Sequence, residues 1–178
     1  ENCSLRVIDV HKDKSEKNFI NIYYNFNLKK NSIIKNFKLD ISSNNNIKYS
    51  FNNIDQDTNS VSETFILSNG SKFIKNEINC NLNGKYSSAF VNGIFSLNEN
   101  KHHEIKTNIN QDINSISETF VFSSGSNFIK NEINCNLNER YSSAFINGIF
   151  YLMDQRHHEI RTCINHLQEN TKSYQLIK

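Results

Sequence analysis

Phe73-Ile74-Lys75-Asn76-Glu77-Ile78-Asn79-Cys80-Asn81-Leu82-Asn83 occurs twice in this chain, returning unchanged as Phe128 to Asn138. Ile74, Ile78, Cys80 and Leu82 share one parity; Lys75, Glu77, Asn79 and Asn81 share the other. A period of two with one apolar side marks a strand with one buried face. The duplication extends to both sides of this stretch. Ser62-Glu63-Thr64-Phe65 returns as Ser117-Glu118-Thr119-Phe120, and His102-His103-Glu104-Ile105 as His157-His158-Glu159-Ile160. A unit of about 55 residues, Ile54 to Asn108, is thus followed without a gap by a second, Ile109 to Cys163, about two-thirds identical to it. A closed globular core rarely accepts such an insertion. A solenoid does, because each unit packs only on its neighbours. The unit is too long for one coil and suits two or three, lengthening a β-helix by roughly 10–15 Å at about 4.8 Å per coil.

The rest of the chain carries the same signal. Ile20, Ile22, Tyr24, Phe26 and Leu28 form one apolar side of a strand from Phe19 to Leu28. A second lead-in strand, Ile33 to Ile41, runs through Phe37, Leu39 and Ile41. Ala89 to Phe95 and Ala144 to Phe150 read as strands interrupted at Asn92-Gly93 and Asn147-Gly148, and all five glycines are assigned to turns or Asn-Gly corners. Ser68 to Ser71 and Ser123 to Ser126 read as turns, Ser42 to Asn46 as a loop, and Asn165 to Lys178 as a short helix or loop. No segment holds a helical period over three turns.

The 178 residues suffice for one domain that buries roughly 70% of its unfolded surface. A net charge of +2, from 20 basic and 18 acidic residues, argues against a dedicated nucleic-acid or polybasic membrane binder. No apolar run approaches the roughly 20 residues of a membrane span. Glu1 to Arg6 lacks the pattern of a signal peptide, which points to the cytoplasm. The abundance of Asn, Lys and Ile is read as coding bias, although an Asn-rich solenoid can also stack Asn side chains in ladders.

Candidate chemistry is sparse. Cys80 and Cys135 occupy the same position in the two copies and read as small apolar side chains kept reduced; a ligand role and a disulfide stay open. In the segment from His157 to His166, strand geometry puts His158, Ile160, Thr162, Ile164 and His166 on one face and His157, Glu159, Arg161, Cys163 and Asn165 on the other. Stacking would bring His157 near His102 and His158 near His103, ladders that could hold metal; solvated or hydrogen-bonded His at a coil edge is the plainer reading. Glu63-Thr64 and Glu118-Thr119 are placed near turns in solvent. Phe and Tyr, 13 and 7 in number, are assigned to the core. No Ser/His/Asp set and no phosphate-cradling loop is present. The chain reads as not an enzyme, with no catalytic residue named.

Several stretches, in order, resemble the core of the SufB/SufD proteins of iron–sulfur cluster assembly. Lys130-Asn131-Glu132-Ile133-Asn134-Cys135-Asn136-Leu137-Asn138 is followed by Ala144-Phe145-Ile146-Asn147-Gly148-Ile149-Phe150. Then come His157 to His166 and Thr171-Lys172-Ser173-Tyr174-Gln175-Leu176-Ile177-Lys178. These are similar to the family's R-N-(D/E)-(I/V)-x-V-x-L-x-G, L-N-G-L-Y, Q-H-x-D-x-x-T-x-I-D-H and T-x-S-x-x-L-Y-K-G stretches. The resemblance spans nearly the whole chain. It implies an all-β, right-handed parallel β-helix, one SufD-like core domain over residues 1–178. It further implies a scaffold subunit that pairs with SufB-like and SufC-like (ATPase) subunits. No tightly bound cofactor is expected, only a transient iron–sulfur cluster within a partner complex, and no nucleic-acid or membrane partner. His157, Thr162 and His166 match family-motif positions.

Asn165 stands where the family has Asp, Ile177 where it has Tyr, and Gln111 follows copy one where His166 follows copy two. Copy two is therefore the one that continues into the family's closing motif, and copy one reads as an extra unit. Later coils and the helical region that contacts SufC are missing after Lys178, so the chain reads as a truncated or fragmentary member whose open solenoid ends invite self-association. The alternatives are an Asn-rich β-solenoid surface or adhesion protein and, more weakly, a β-helix carbohydrate-active enzyme, for which no carboxylate cluster recurs at coil spacing.

Overall fold

Every stretch of alternating side chains forms a strand. The computed structural model describes residues 1–12, 17–41, 45–97, 101–152 and 156–178. In chain order the strands are β1 (Ser4–His11), β2 (Phe19–Leu28), β3 (Ile33–Asp40), β4 (Ile47–Gln56), β5 (Val61–Ser68), β6 (Phe73–Leu82) and β7 (Ser88–Leu97). They continue as β8 (His102–Gln111), β9 (Ile116–Gly125), β10 (Phe128–Leu137), β11 (Ser143–Tyr151), β12 (His157–His166) and β13 (Lys172–Ile177). Odd strands form one seven-stranded sheet in sequential order, and even strands form a facing six-stranded sheet. All pairings are parallel, each strand pairing with the strand two places on. The result is a two-sheet β-solenoid of about six turns with no helix among the described residues.

Ile54 pairs with Cys80, Cys80 with Ile109, and Ile109 with Cys135, so one 55-residue copy winds two coils. The coils are unequal. Neighbouring outer asparagines are 29 residues apart from Asn79 to Asn108 and 26 apart from Asn108 to Asn134. The core lies between the sheets and holds Ile54, Ile78, Cys80, Leu82, Phe95, Ile109, Ile129, Ile133, Leu137 and Ile146.

The turns that lead from even to odd strands repeat one device. Asn31, Asn59, Asn114 and Asn170 sit at positive φ, where Asn is tolerated, and Tyr86 and Tyr141 take the same conformation in the alternate coils. The next residue closes the turn: the hydroxyls of Ser60, Ser87, Ser115 and Ser142 donate to the carbonyls of Asp57, Gly84, Asp112 and Glu139. Asn59 donates to Asn31 and Asn31 to Asn2, so the turns are also tied from coil to coil.

Several expectations need correction. Asn92-Gly93 and Asn147-Gly148 are not corners: β7 and β11 run through them unbroken. A Cβ on Gly93 would lie 2.4 Å from the ring of Phe95, so glycine there makes room for an inward aromatic. Gly125 likewise ends β9 rather than forming a detached turn; its φ is +77° and it packs on the Leu97 carbonyl. The segment after Asn165 is not a helix: it finishes β12, turns through residues 167–171 and forms β13. In β3 the buried parity is Ile34, Asn36, Lys38 and Asp40, opposite to that expected from Phe37 and Leu39, which face outward. Thr64 and Thr119 are mid-strand and buried rather than solvated near turns, while Glu63 pairs with Lys35 at 2.9 Å. The expected loop at Ser42 to Asn46 falls partly outside the described residues, at 42–44; Asn46 is buried. Of the thirteen phenylalanines only Phe95 is fully buried, so the core is built chiefly of Ile, Leu and small polar residues.

Candidate functional site

The three motif positions lie on β12, but on two faces of it. His157 points outward and stacks on Phe128, ring centroids 5.3 Å apart and planes 9° apart. Thr162 points inward and its Oγ1 donates to Gln175 Oε1 of β13 at 3.1 Å. His166 ends the strand; its Nδ1 lies 2.7 Å from Thr171 Oγ1 and its Nε2 2.9 Å from Ser173 Oγ. The structure therefore brings together His166 and the Thr-x-Ser pair of the closing motif, and leaves His157 apart.

The contact at His166 has counterparts upstream. Gln111 and Gln56 hold the same position two coils and four coils earlier, with Leu137 and Leu82 in between. Gln56 Nε2 donates to the Ser60 and Ser88 carbonyls, and its Oε1 accepts from Ser62 Oγ at 2.6 Å. Gln111 Nε2 donates to the Ser143 carbonyl and Oε1 accepts from Ser117 Oγ at 2.8 Å. One side chain thus latches an even strand to the next odd strand in every second coil, and a leucine fills the place in between. His166 is a latch with two ring nitrogens in place of an amide.

The expected His ladders do not form, because each copy winds two coils. Phe128 pairs with both His102 and His157, and Ile129 with both His103 and His158. The outer row is instead an aromatic pile, Phe73, His102, Phe128 and His157, with centroids 4.4 to 5.3 Å apart. His103 is not a solvated edge residue: it is fully buried against Phe95, with ring centroids 6.0 Å apart. Burial, helped by the charge of Lys101, pushes its pKa down to about 3, against a small opposing effect of the Gly70 carbonyl. In copy two His158 Nε2 lies 3.0 Å from the Gly125 carbonyl. Among the described residues no three His, Cys, Asp or Glu side chains converge as a metal site.

The cysteines separate cleanly. Cys80 and Cys135 are buried, and burial raises both thiols to about 12, so neither is a thiolate at neutral pH. Ile109 lies between them in register, which puts their Cα atoms about two strand spacings apart, beyond disulfide reach. Cys3 and Cys163 are exposed.

A second cluster escaped the sequence reading. Asp9 and His11 of β1, Tyr24 of β2, Lys38 and Asp40 of β3 and Lys48 of β4 lie on inward parities of the first coils. His11 Nε2 is 2.7 Å from Asp9 Oδ1, and Lys38 Nζ donates to Ser50 and lies 4.8 Å over the Tyr24 ring. Burial lowers Lys38 to about 7, opposed by the Asp9 charge. Burial also lowers Lys48 and His11 and raises Tyr24. The signal was available: Lys38 and Asp40 share the parity of Ile34. A strand with charges on its inner side and Phe and Leu on its outer side reverses the usual pattern.

The outer face of the even sheet is polar and repetitive. Asn108 donates to Asn79 at 2.7 Å and Asn134 to Asn108 at 2.9 Å. A parallel row runs Asp55, Asn81, Asn110, Asn136, Asn165, each later residue donating to the one before at 2.8 to 2.9 Å. The asparagines therefore carry structure that coding bias alone does not describe. Lys75 and Lys106 pair with Glu104 and Glu132 across adjacent strands of the same face.

No curated protein and no solved structure matches the chain. A family model does: the SUF system FeS cluster assembly, SufBD core domain, matches residues 1–115 and again residues 106–178. The two matches overlap at residues 106–115, across the junction of the two copies, as a duplicated stretch of one domain would make them. The stacked parallel coils, the closing contact of His166 with Thr171 and Ser173, and a match that covers the whole chain agree, and the chain belongs to the SufBD core domain family of the SUF system of iron–sulfur cluster assembly.

Proposed function

We propose that the chain is a non-catalytic scaffold in a SUF-type assembly complex, a SufD-like element that pairs with a SufB-like subunit and is served by a SufC-like ATPase. The observation that carries this reading is the family match along the full chain, reinforced by the ordered closing motif on β12 and β13. The geometry suits a scaffold. The interior is filled with side chains rather than open, and the outer rows are stacked at a fixed spacing that presents partners with a rigid surface. The iron–sulfur cluster is cargo in this reading. It is held transiently at a site completed by a partner, since the buried thiols of Cys80 and Cys135 are poor ligands. The whole chain, residues 1–178, acts as one core domain, and copy one is a two-coil extension of it.

The test is anaerobic co-purification of the tagged chain with SufB-like and SufC-like subunits under reducing conditions. A stable complex that gains iron and sulfide on reconstitution is the expected result. A folded chain that binds neither subunit overturns the proposal.

A further inference from the structure

The two outer faces of the solenoid differ in chemistry. The even sheet shows Asn ladders and ion pairs, whereas the odd sheet shows two largely apolar rows, interrupted only at Asn92 and Asn147, beside the Lys35–Glu63 row. Along that sheet Phe37 pairs with Phe65, and Leu39 with Leu67, on outward parities. Phe120 and Phe122 continue these rows on β9. All six are only partly buried, and Ile8 and Ile149, which extend the rows on β1 and β11, are 62% and 44% exposed. A shallow apolar depression lies between Arg6, Ile8, Phe37, Leu39 and Phe65. Large aromatics kept out of a core that has room for Ile and Asn form a patch of the kind that marks an interaction surface.

We propose that this face binds a second copy of the chain, sheet against sheet, about a two-fold axis that lies in the plane of the interface and runs across the strands, parallel to these rows. Seven strands about 4.8 Å apart, each showing three or four outward side chains about 6.7 Å apart, give a face of roughly 29 by 20 Å, or roughly 600 Å². Two such faces together bury about 1,200 Å², where specific interfaces begin. The distribution of polar groups fits the same symmetry. A two-fold axis between the rows of Asn92 and Ile94 turns the phenylalanine row of one copy onto the leucine–isoleucine row of the other. It also carries the charged row out to the rim. Glu63, already paired with Lys35, then lies opposite Asn69 of the other copy, and the exposed Glu118 lies opposite Ser124. An apolar centre with a hydrogen-bonding rim is the usual anatomy of an interface. The aromatic pile on the even sheet has no such capacity, because its rings cover one another's faces.

The inference rests on the solenoid alone and is independent of the assembly role. Sedimentation velocity of the isolated chain over about two decades of concentration, roughly 1 to 100 µM around common dimer affinities, should show a monomer–dimer equilibrium. Phe65→Lys together with Phe120→Lys should abolish it while leaving the β-type circular dichroism spectrum intact. Ile94→Cys, in a Cys3→Ser/Cys163→Ser background, should be cross-linked by a short bis-maleimide, and Asn81→Cys on the opposite sheet should not. A chain that stays monomeric throughout overturns the proposal. So does a dimer indifferent to the lysine substitutions, which would use the solenoid ends instead.

Discussion

His103 and His166 show how one residue type serves opposite ends within one strand position scheme. His103 replaces an isoleucine in an inward row that reads Ile74, His103, Ile129. Its folded pKa of about 3 lies below the ordinary value, so only the unfolded chain takes up the proton as pH falls. Stability from this group is complete above about pH 6.5 and is lost as pH falls from there toward 3, with a slope approaching about 1.4 kcal/mol per pH unit. His103→Ile should remove that slope and stabilise the protein at pH 5; urea unfolding at pH 5 and pH 8 measures both effects. His166 is held instead by hydroxyl groups at the surface. His166→Gln should keep the latch that Gln56 and Gln111 make, whereas His166→Ala should cost roughly 1 kcal/mol through two lost hydrogen bonds. Thermal melts of the two variants side by side would separate a latch from a mere space-filler: equal losses would reject it.

At the scale of the strand, parity governs everything, and parity is where sequence reading succeeded and failed. β6 and β10 were legible because their apolar residues all fall on one side. β3 was misread because both of its sides are half apolar: Ile34 competes with Phe37 and Leu39, and only the neighbouring coil decides which side faces inward. The charged cluster of Lys38, Asp40 and Lys48 was missed for the same reason. Burial of a charge is not visible in a strand until its partners across the core are known. Asn92-Gly93 was mistaken for a corner because Asn-Gly usually marks one, whereas here the glycine yields space to Phe95. The Asn ladders were legible only as a general capacity of Asn-rich coils. Asn110 both donates to Asn81 and accepts from Asn136. Asn110→Ala should therefore break the ladder in its middle and cost roughly 1–2 kcal/mol in chemical denaturation, and Asn165→Ala, at the ladder's end, should cost less.

At the scale of the molecule, the two-coil unit makes the chain modular. Deleting residues 54–108 joins Asn53 to Ile109, which holds the register of Ile54, so the shortened chain should fold as a solenoid with two coils fewer and a lower melting temperature. Circular dichroism and a melting curve would check this; an unfolded product would show that the copies are not interchangeable. The fold class and the repeat were readable because a repeated pattern is itself a statement of stacking. Its winding number was not, since nothing in one copy says where the coil closes. The alternation of 29- and 26-residue coils has a further consequence, one for inheritance. Losing or gaining a single coil would set Gln latch against Gln latch and long turn against long turn. Losing or gaining a whole unit preserves the alternation and, being a whole number of codons, the reading frame. A change of length by one whole unit, two coils at a time, therefore delivers a chain that still knows how to close.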